Sequence, residues 1–186
     1  MKQNNIRLVL EKHSVIPVVT FNELSEVEPL LMRLQEKGVN CIEITLRTPQ
    51  SFEAIALAKK LMGTKMDIGV GTVVRKEQIA KATELEVDFM VSPGIHVDLA
   101  PAFESSGIPF IPGVATPSEI IGGIQLGWDT FKFFPAHLFG GLDALKTYGQ
   151  VFPAVKFCPT GGIKAETFEH YLNLNNVISV GGSWLS

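Results

Sequence analysis

Cys41-Ile42-Glu43-Ile44-Thr45-Leu46-Arg47-Thr48-Pro49 reads as a strand that runs directly into the start of a helix. Side chains alternate along a strand, so Glu43, Thr45 and Arg47 share one face, and Ile42, Ile44 and Leu46 share the other. Thr48 can cap a helix and Pro49 suits its first turn. The stretch that follows, Pro49–Leu61, carries apolar residues at helical spacing. The unit is strand, short loop, helix.

The unit recurs along the whole chain. Short β-rich runs bounded by Gly, Pro or Asx lie at Val15–Val19, Cys41–Thr45, Asp67–Gly71, Asp88–Ser92, Pro109–Pro112, Thr130–Phe134, Val155–Pro159 and Val177–Val180. Helical patterns separate them at Leu24–Lys37, Pro49–Leu61, Lys76–Leu85, Ser118–Leu126, Leu142–Tyr148 and Ala165–Leu172, with a weaker one around Val97–Phe103. Thr116-Pro117-Ser118-Glu119 has the threonine, proline and glutamate of a capping box. Successive strands start 26, 26, 21, 21, 21, 25 and 22 residues apart. Eight strands alternating with helices predict an α/β fold, a (β/α)8 TIM barrel, because an open doubly wound sheet usually has fewer strands.

No linker divides the 186 residues, so a single domain over 1–186 is expected, with an N-terminal helix at about 4–12. After the eighth strand only Gly181-Gly182-Ser183-Trp184-Leu185-Ser186 follows, so the barrel is expected to lack its final helix. The exposed flank of the last strand would then be covered by a neighbouring subunit or by the N-terminal stripe of Ile6, Val9 and Leu10. Truncation of a longer parent would give the same ending.

Sixteen basic and nineteen acidic residues give a net charge of -3, which argues against nucleic acid or an anionic membrane as the main partner. No apolar run approaches a signal core or a membrane span, and the cytoplasm is the expected location. Cys41 and Cys158 lie far apart and read as buried free thiols. The histidines at 13, 96, 137 and 170 lack paired-ligand spacing, so no metal site and no cofactor is expected.

Phe131-Lys132-Phe133-Phe134-Pro135 places one lysine inside an apolar, aromatic strand. Taking an ammonium out of water disfavours its charged form, and a neutral amine can attack a carbonyl to form a Schiff base. Alternation points Lys132 and Phe134 inward with Glu43 and Arg47, and Phe131 and Phe133 towards the helices. An acid, an amine and a guanidinium are thus expected to converge at the face where such barrels do chemistry. The structural alternative is a buried ion network that satisfies itself, a costly arrangement for stability alone. Gly161-Gly162 after the seventh strand and Gly181-Gly182-Ser183 after the eighth have the positions and backbone freedom of a phosphate site. Thr72, ending Gly69-Val70-Gly71-Thr72, could bond a substrate carboxylate, with Pro93 as an apolar wall. Turn chemistry is the expected reason for Gly69 and Gly94.

The motifs Glu43-Ile44-Thr45-Leu46-Arg47-Thr48, Gly71-Thr72-Val73, Ser92-Pro93-Gly94, Ile111-Pro112-Gly113, Phe131-Lys132-Phe133-Phe134-Pro135-Ala136, Cys158-Pro159-Thr160-Gly161-Gly162-Ile163 and Gly181-Gly182-Ser183-Trp184-Leu185 occur in this order. From about Val15 onward the chain resembles the 2-keto-3-deoxy-6-phosphogluconate (KDPG) / 4-hydroxy-2-oxoglutarate (KHG) aldolases. The resemblance implies a homotrimeric (β/α)8 barrel and a reversible, metal-free cleavage of a 2-keto acid into pyruvate and an aldehyde. By motif, Lys132 would be the Schiff-base lysine and Glu43 the acid/base. Arg47 and Thr72 would hold the pyruvyl carboxylate, Pro93, Phe134 and Thr160 would line the pocket, and Gly161, Gly162 and Ser183 would receive the phosphate of a phosphorylated aldehyde. The run Ala136-His137-Leu138-Phe139-Gly140-Gly141 departs from the family's usual loop by being bulkier and less acidic. Other readings are a catalytically silent barrel that binds a phosphorylated metabolite, a truncated assembly subunit, and a metal-dependent aldolase, which the missing ligand pattern disfavours.

Overall fold

The computed structural model describes Gln3 and residues 5–185. Its strands are β1 (Val15–Val19), β2 (Cys41–Thr45), β3 (Asp67–Gly71), β4 (Phe89–Val91), β5 (Phe110–Ile111), β6 (Gly113–Val114), β7 (Thr130–Phe133), β8 (Lys156–Pro159) and β9 (Val180–Gly182). They form two parallel sheets, ordered β5-β4-β3-β2-β1-β9 and β6-β7-β8, within an α/β fold. Pro112 alone separates β5 from β6. It has no N–H to give the ladder, but its carbonyl accepts the Lys132 N–H at 2.9 Å. Isolated parallel bridges, Phe157↔Val177 and Thr160↔Gly181, join β8 to the last part of the chain.

The helices are α1 (Ile6–Leu10), α2 (Val27–Glu36), α3 (Ser51–Met62), α4 (Lys76–Glu84), α5 (Ala100–Ser105), α6 (Pro117–Gln125), α7 (Gly141–Val151) and α8 (Phe168–Leu172). Among the described residues no helix is long and apolar enough to cross a membrane. α6 begins with the expected capping box: Thr116 Oγ1 accepts from Glu119 N, and the Glu119 carboxylate accepts from Thr116 N at 2.8 Å. Burial would raise the Glu119 carboxyl, but bonds from the N–H groups of Ala115 and Thr116 and from the Thr116 hydroxyl hold it below its ordinary value. Thr116→Ala is expected to cost about 1 kcal/mol, measured as a lower urea midpoint with an unchanged m-value.

Three local expectations are corrected. Thr48 does not cap α3, which is preceded by Gln50; its hydroxyl instead donates to the Phe21 carbonyl at 2.7 Å and ties two loops together. Gly69 lies within β3 rather than in a turn, and its reason is packing, since a Cβ there would overlap the Phe89 ring. The last strand starts at Val180 instead of Val177, because its pairing with β1 (Val15↔Val180, Pro17↔Gly182) draws both glycines into the ladder.

Strand alternation separates two cores. Ile42, Ile44, Phe131, Phe133 and Phe157 face the helices in the larger one. Each buried ring or branched chain there contributes about 1.5–3 kcal/mol of transfer free energy. Ile16, Cys41, Phe89, Val91, Ile111 and Cys158 face inward, and Ile6, Val9 and Leu10 of α1 pack among them. The N-terminal stripe therefore fills the inner core instead of covering the flank of the last strand. Gln3 and Arg7 fasten it: Gln3 Nε2 donates to the Thr130 carbonyl at 2.7 Å, Arg7 Nε to Thr130 Oγ1 at 2.8 Å, and Arg7 pairs with Asp129 at 3.0 Å.

Candidate active site

Because the strands are parallel, the residues that follow their C-terminal ends emerge on one face. They are Thr20 after β1, Arg47 beyond β2, Thr72 after β3, Phe134 after β7, Thr160-Gly161-Gly162 after β8 and Ser183 after β9. Beneath them Lys132 and Glu43 meet across the interior, with Lys132 Nζ 3.2 Å from Glu43 Oε1 and side-chain exposures of 6% and 5%. Gly71, the register neighbour of Thr45, makes the room: a Cβ on it would overlap the Glu43 carboxylate. Lys132 Nζ also lies 5.1 Å from the centroid of the Phe134 ring, an attractive position for a cation. A carboxylate and an amine this close, shielded from water, can pass a proton between them.

Arg47 does not join this pair. It is exposed at the mouth, and its Nε donates to Thr72 Oγ1 at 3.3 Å. Thr72 has φ 63, a left-handed backbone that a β-branched residue adopts only under strain. Its hydroxyl meets the guanidinium, so the expected convergence has two levels, a buried pair below and a cation with a hydroxyl above.

Val18, Thr20, Arg47, Phe134, Thr160, Gly161, Gly162, Ile163, Gly182 and Ser183 line a cavity of about 360 Å³. Val18 is the register partner of Glu43, and Phe134 adjoins Lys132, which places the pair beside the cavity's inner end. Gly161 and Gly162 have φ 97 and 72. Two successive left-handed glycines leave this turn without side chains, so its backbone can approach an anion closely. A Cβ on Gly162 would overlap the His137 ring. Pro93 lines a neighbouring hollow of about 390 Å³ with Val74, Ile95 and Leu99. A larger hollow, about 410 Å³ between β1 and α2, is lined by Thr20, Glu26, Pro29, Leu30 and Arg33, and neither Lys132 nor Glu43 is among its lining residues.

A family model for KDPG and KHG aldolase matches residues 6–186. The chain belongs to the KDPG and KHG aldolase family. It is 39% identical to the 2-dehydro-3-deoxy-phosphogluconate aldolase of Zymomonas mobilis, over 97% of this chain and 86% of that protein. It is 40% identical to the KHG/KDPG aldolase of Escherichia coli, over 95% and 83%. Among solved structures, the KDPG aldolase of Legionella pneumophila, with pyruvate captured at low pH as a covalent carbinolamine intermediate, matches with a TM-score of 0.93 and 42% identity, over 97% of this chain and 87% of that one.

In this aldolase-family chain three contributors were not singled out from sequence. Gly71 gives space to Glu43, and no local pattern distinguishes it from a turn glycine. Thr20 lines the cavity and is recognisable only as the hydroxyl that ends the first strand. Cys158 is the register partner of Lys132. Burial pushes its thiol up to about 12, against the nearby Lys132 charge and with Glu43, so it remains a neutral neighbour of the amine.

Proposed function

We propose that the chain is a class I aldolase that reversibly cleaves KDPG to pyruvate and glyceraldehyde 3-phosphate, and KHG to pyruvate and glyoxylate. The observation that carries this reading is the buried Lys132–Glu43 pair at 3.2 Å beside a cavity with a cation at its mouth. The carbinolamine captured in the Legionella relative supports it.

Glu43 takes a proton from Lys132 and leaves a free amine, which adds to the C2 carbonyl of the keto acid; Glu43 then returns the proton to the departing C2 hydroxyl, and loss of water gives the iminium and restores the carboxylate. Glu43 then removes the proton of the C4 hydroxyl. The C3–C4 bond breaks, its electron pair moves into the iminium to make an enamine, and the aldehyde departs. Protonation at C3 and addition of water release pyruvate and restore the amine. Arg47 and Thr72 hold the pyruvyl carboxylate, for which a guanidinium offers two parallel donors. Phe134 and Thr160 flank the substrate chain, with Pro93 behind the rim. The backbone of the Gly161-Gly162 turn and the Ser183 hydroxyl receive the phosphate.

The finer architecture in this reading is one domain over 1–186, a closed (β/α)8 barrel in which β5 and β6 act as one strand, with no helix after β9 among the described residues. The single residue between β5 and β6, and the bridges from β8 to the last segment, support closure. Assembly as a cytoplasmic homotrimer follows the resemblance.

The test is steady-state kinetics with KDPG and KHG on the intact protein and on Ser183→Ala. Removing one donor to an anion is expected to lower kcat/KM for KDPG roughly 10- to 150-fold and to lower the KDPG-to-KHG ratio with it. Equal losses for both substrates would assign Ser183 to the strand end rather than to the phosphate. Cleavage of neither keto acid by the unmutated protein would overturn the aldolase reading.

A further inference from the structure

Thr20 and Thr45 form a hydroxyl pair, Oγ1 to Oγ1 at 2.6 Å, on neighbouring strands above the Lys132–Glu43 pair. Their environments differ. Thr45 is fully buried, whereas Thr20 is exposed and lines the site cavity with Arg47, Phe134 and Thr160. Among the described residues Thr20 Oγ1 is the hydrogen-bond partner of the Thr45 hydroxyl. A buried O–H that merely accepted would leave its own proton unpaired in a dry place, so the stable arrangement has Thr45 donating and Thr20 accepting. The Thr20 proton is then free to point elsewhere, and Thr20 borders both the site cavity and the hollow between β1 and α2, of which the first holds the substrate in the aldolase reading.

Strand register sets its height. Val18 is the partner of Glu43, so the Thr20 backbone stands two residues, about 7 Å along the strand, nearer the mouth than the Glu43 backbone, and the longer glutamate side chain can close part of that interval. Glu43 acts at the C4 hydroxyl, and the next substrate carbon towards the mouth is C5, the carbon beside the aldehyde group in the departing fragment. We propose that Thr20, held as a donor by Thr45, is a specificity-determining residue that binds the hydroxyl on this carbon. Thr20 thereby favours α-hydroxylated aldehydes over those without that group. This rests on the aldolase reading above.

The experiment is aldol addition of pyruvate to glyceraldehyde and to 3-hydroxypropanal, acceptors that differ by the one hydroxyl. It uses the unmutated protein, Thr20→Val, Thr20→Ser and Thr20→Val/Thr45→Val. The glyceraldehyde-to-3-hydroxypropanal ratio of kcat/KM is expected to fall roughly three- to tenfold in Thr20→Val and to survive in Thr20→Ser, which keeps the donor. The double variant leaves no buried hydroxyl without an acceptor and should match Thr20→Val. A purely structural role would lower both acceptors together and leave the ratio alone. An unchanged ratio in Thr20→Val, with pyruvate addition intact in the unmutated protein, overturns the proposal by itself. Absence of addition to either acceptor by the unmutated protein overturns it together with the aldolase reading.

Discussion

Lys132→Arg is expected to abolish covalent capture of pyruvate by borohydride and to leave aldol cleavage at the level of the uncatalysed reaction. Arginine keeps a positive charge opposite Glu43, so the buried carboxylate is not left alone and the fold should persist. A guanidinium stays protonated, and it cannot add to a carbonyl to form an iminium that loses the C4 fragment. Intact-mass measurement after pyruvate and borohydride reads the result, with circular dichroism reporting the fold. A label retained by the variant, or mapped to Lys146, Lys156 or Lys164, would remove Lys132 from its role.

Glu43→Gln separates binding from proton transfer. The amide fits the space beside Gly71 and can still bond Lys132, but it cannot exchange a proton at neutral pH. Cleavage should fall roughly 10²- to 10⁴-fold, the usual worth of general acid/base catalysis, while pyruvate continues to bind. The loss should appear in kcat more than in KM, because the missing step follows capture of the keto acid. Near-normal turnover would assign the proton to another group or to water.

Much of the architecture is legible in the sequence because strand and helix periods are local. Ile42, Ile44, Phe131 and Phe133 lie against the helices as their alternation requires, and the same alternation brings Glu43 to Lys132 across 89 positions of sequence. What local patterns miss depends on neighbours far along the chain. Gly69 and Gly71 look like turn residues until Phe89 and Glu43 are seen to occupy the space that side chains would need. The stripe of Ile6, Val9 and Leu10 announces burial without saying against what, and its partners are inward-facing residues of β1, β2, β4, β5 and β8. Ser183 marks the right end of the fold, although the glycines before it belong to the strand.

The N-terminal plug also fixes the direction of proton traffic. Ile6, Val9 and Leu10 fill the inner core, and Gln3 and Arg7 are fastened to Thr130 only two residues before the lysine, so α1 occupies the lower end of the interior. On the aldolase reading, the substrate comes to Lys132 from the mouth, past Phe134 and the cavity it would fill. While that cavity is occupied, Glu43 is left as the acid within reach of an enamine, which would then be protonated on a single face.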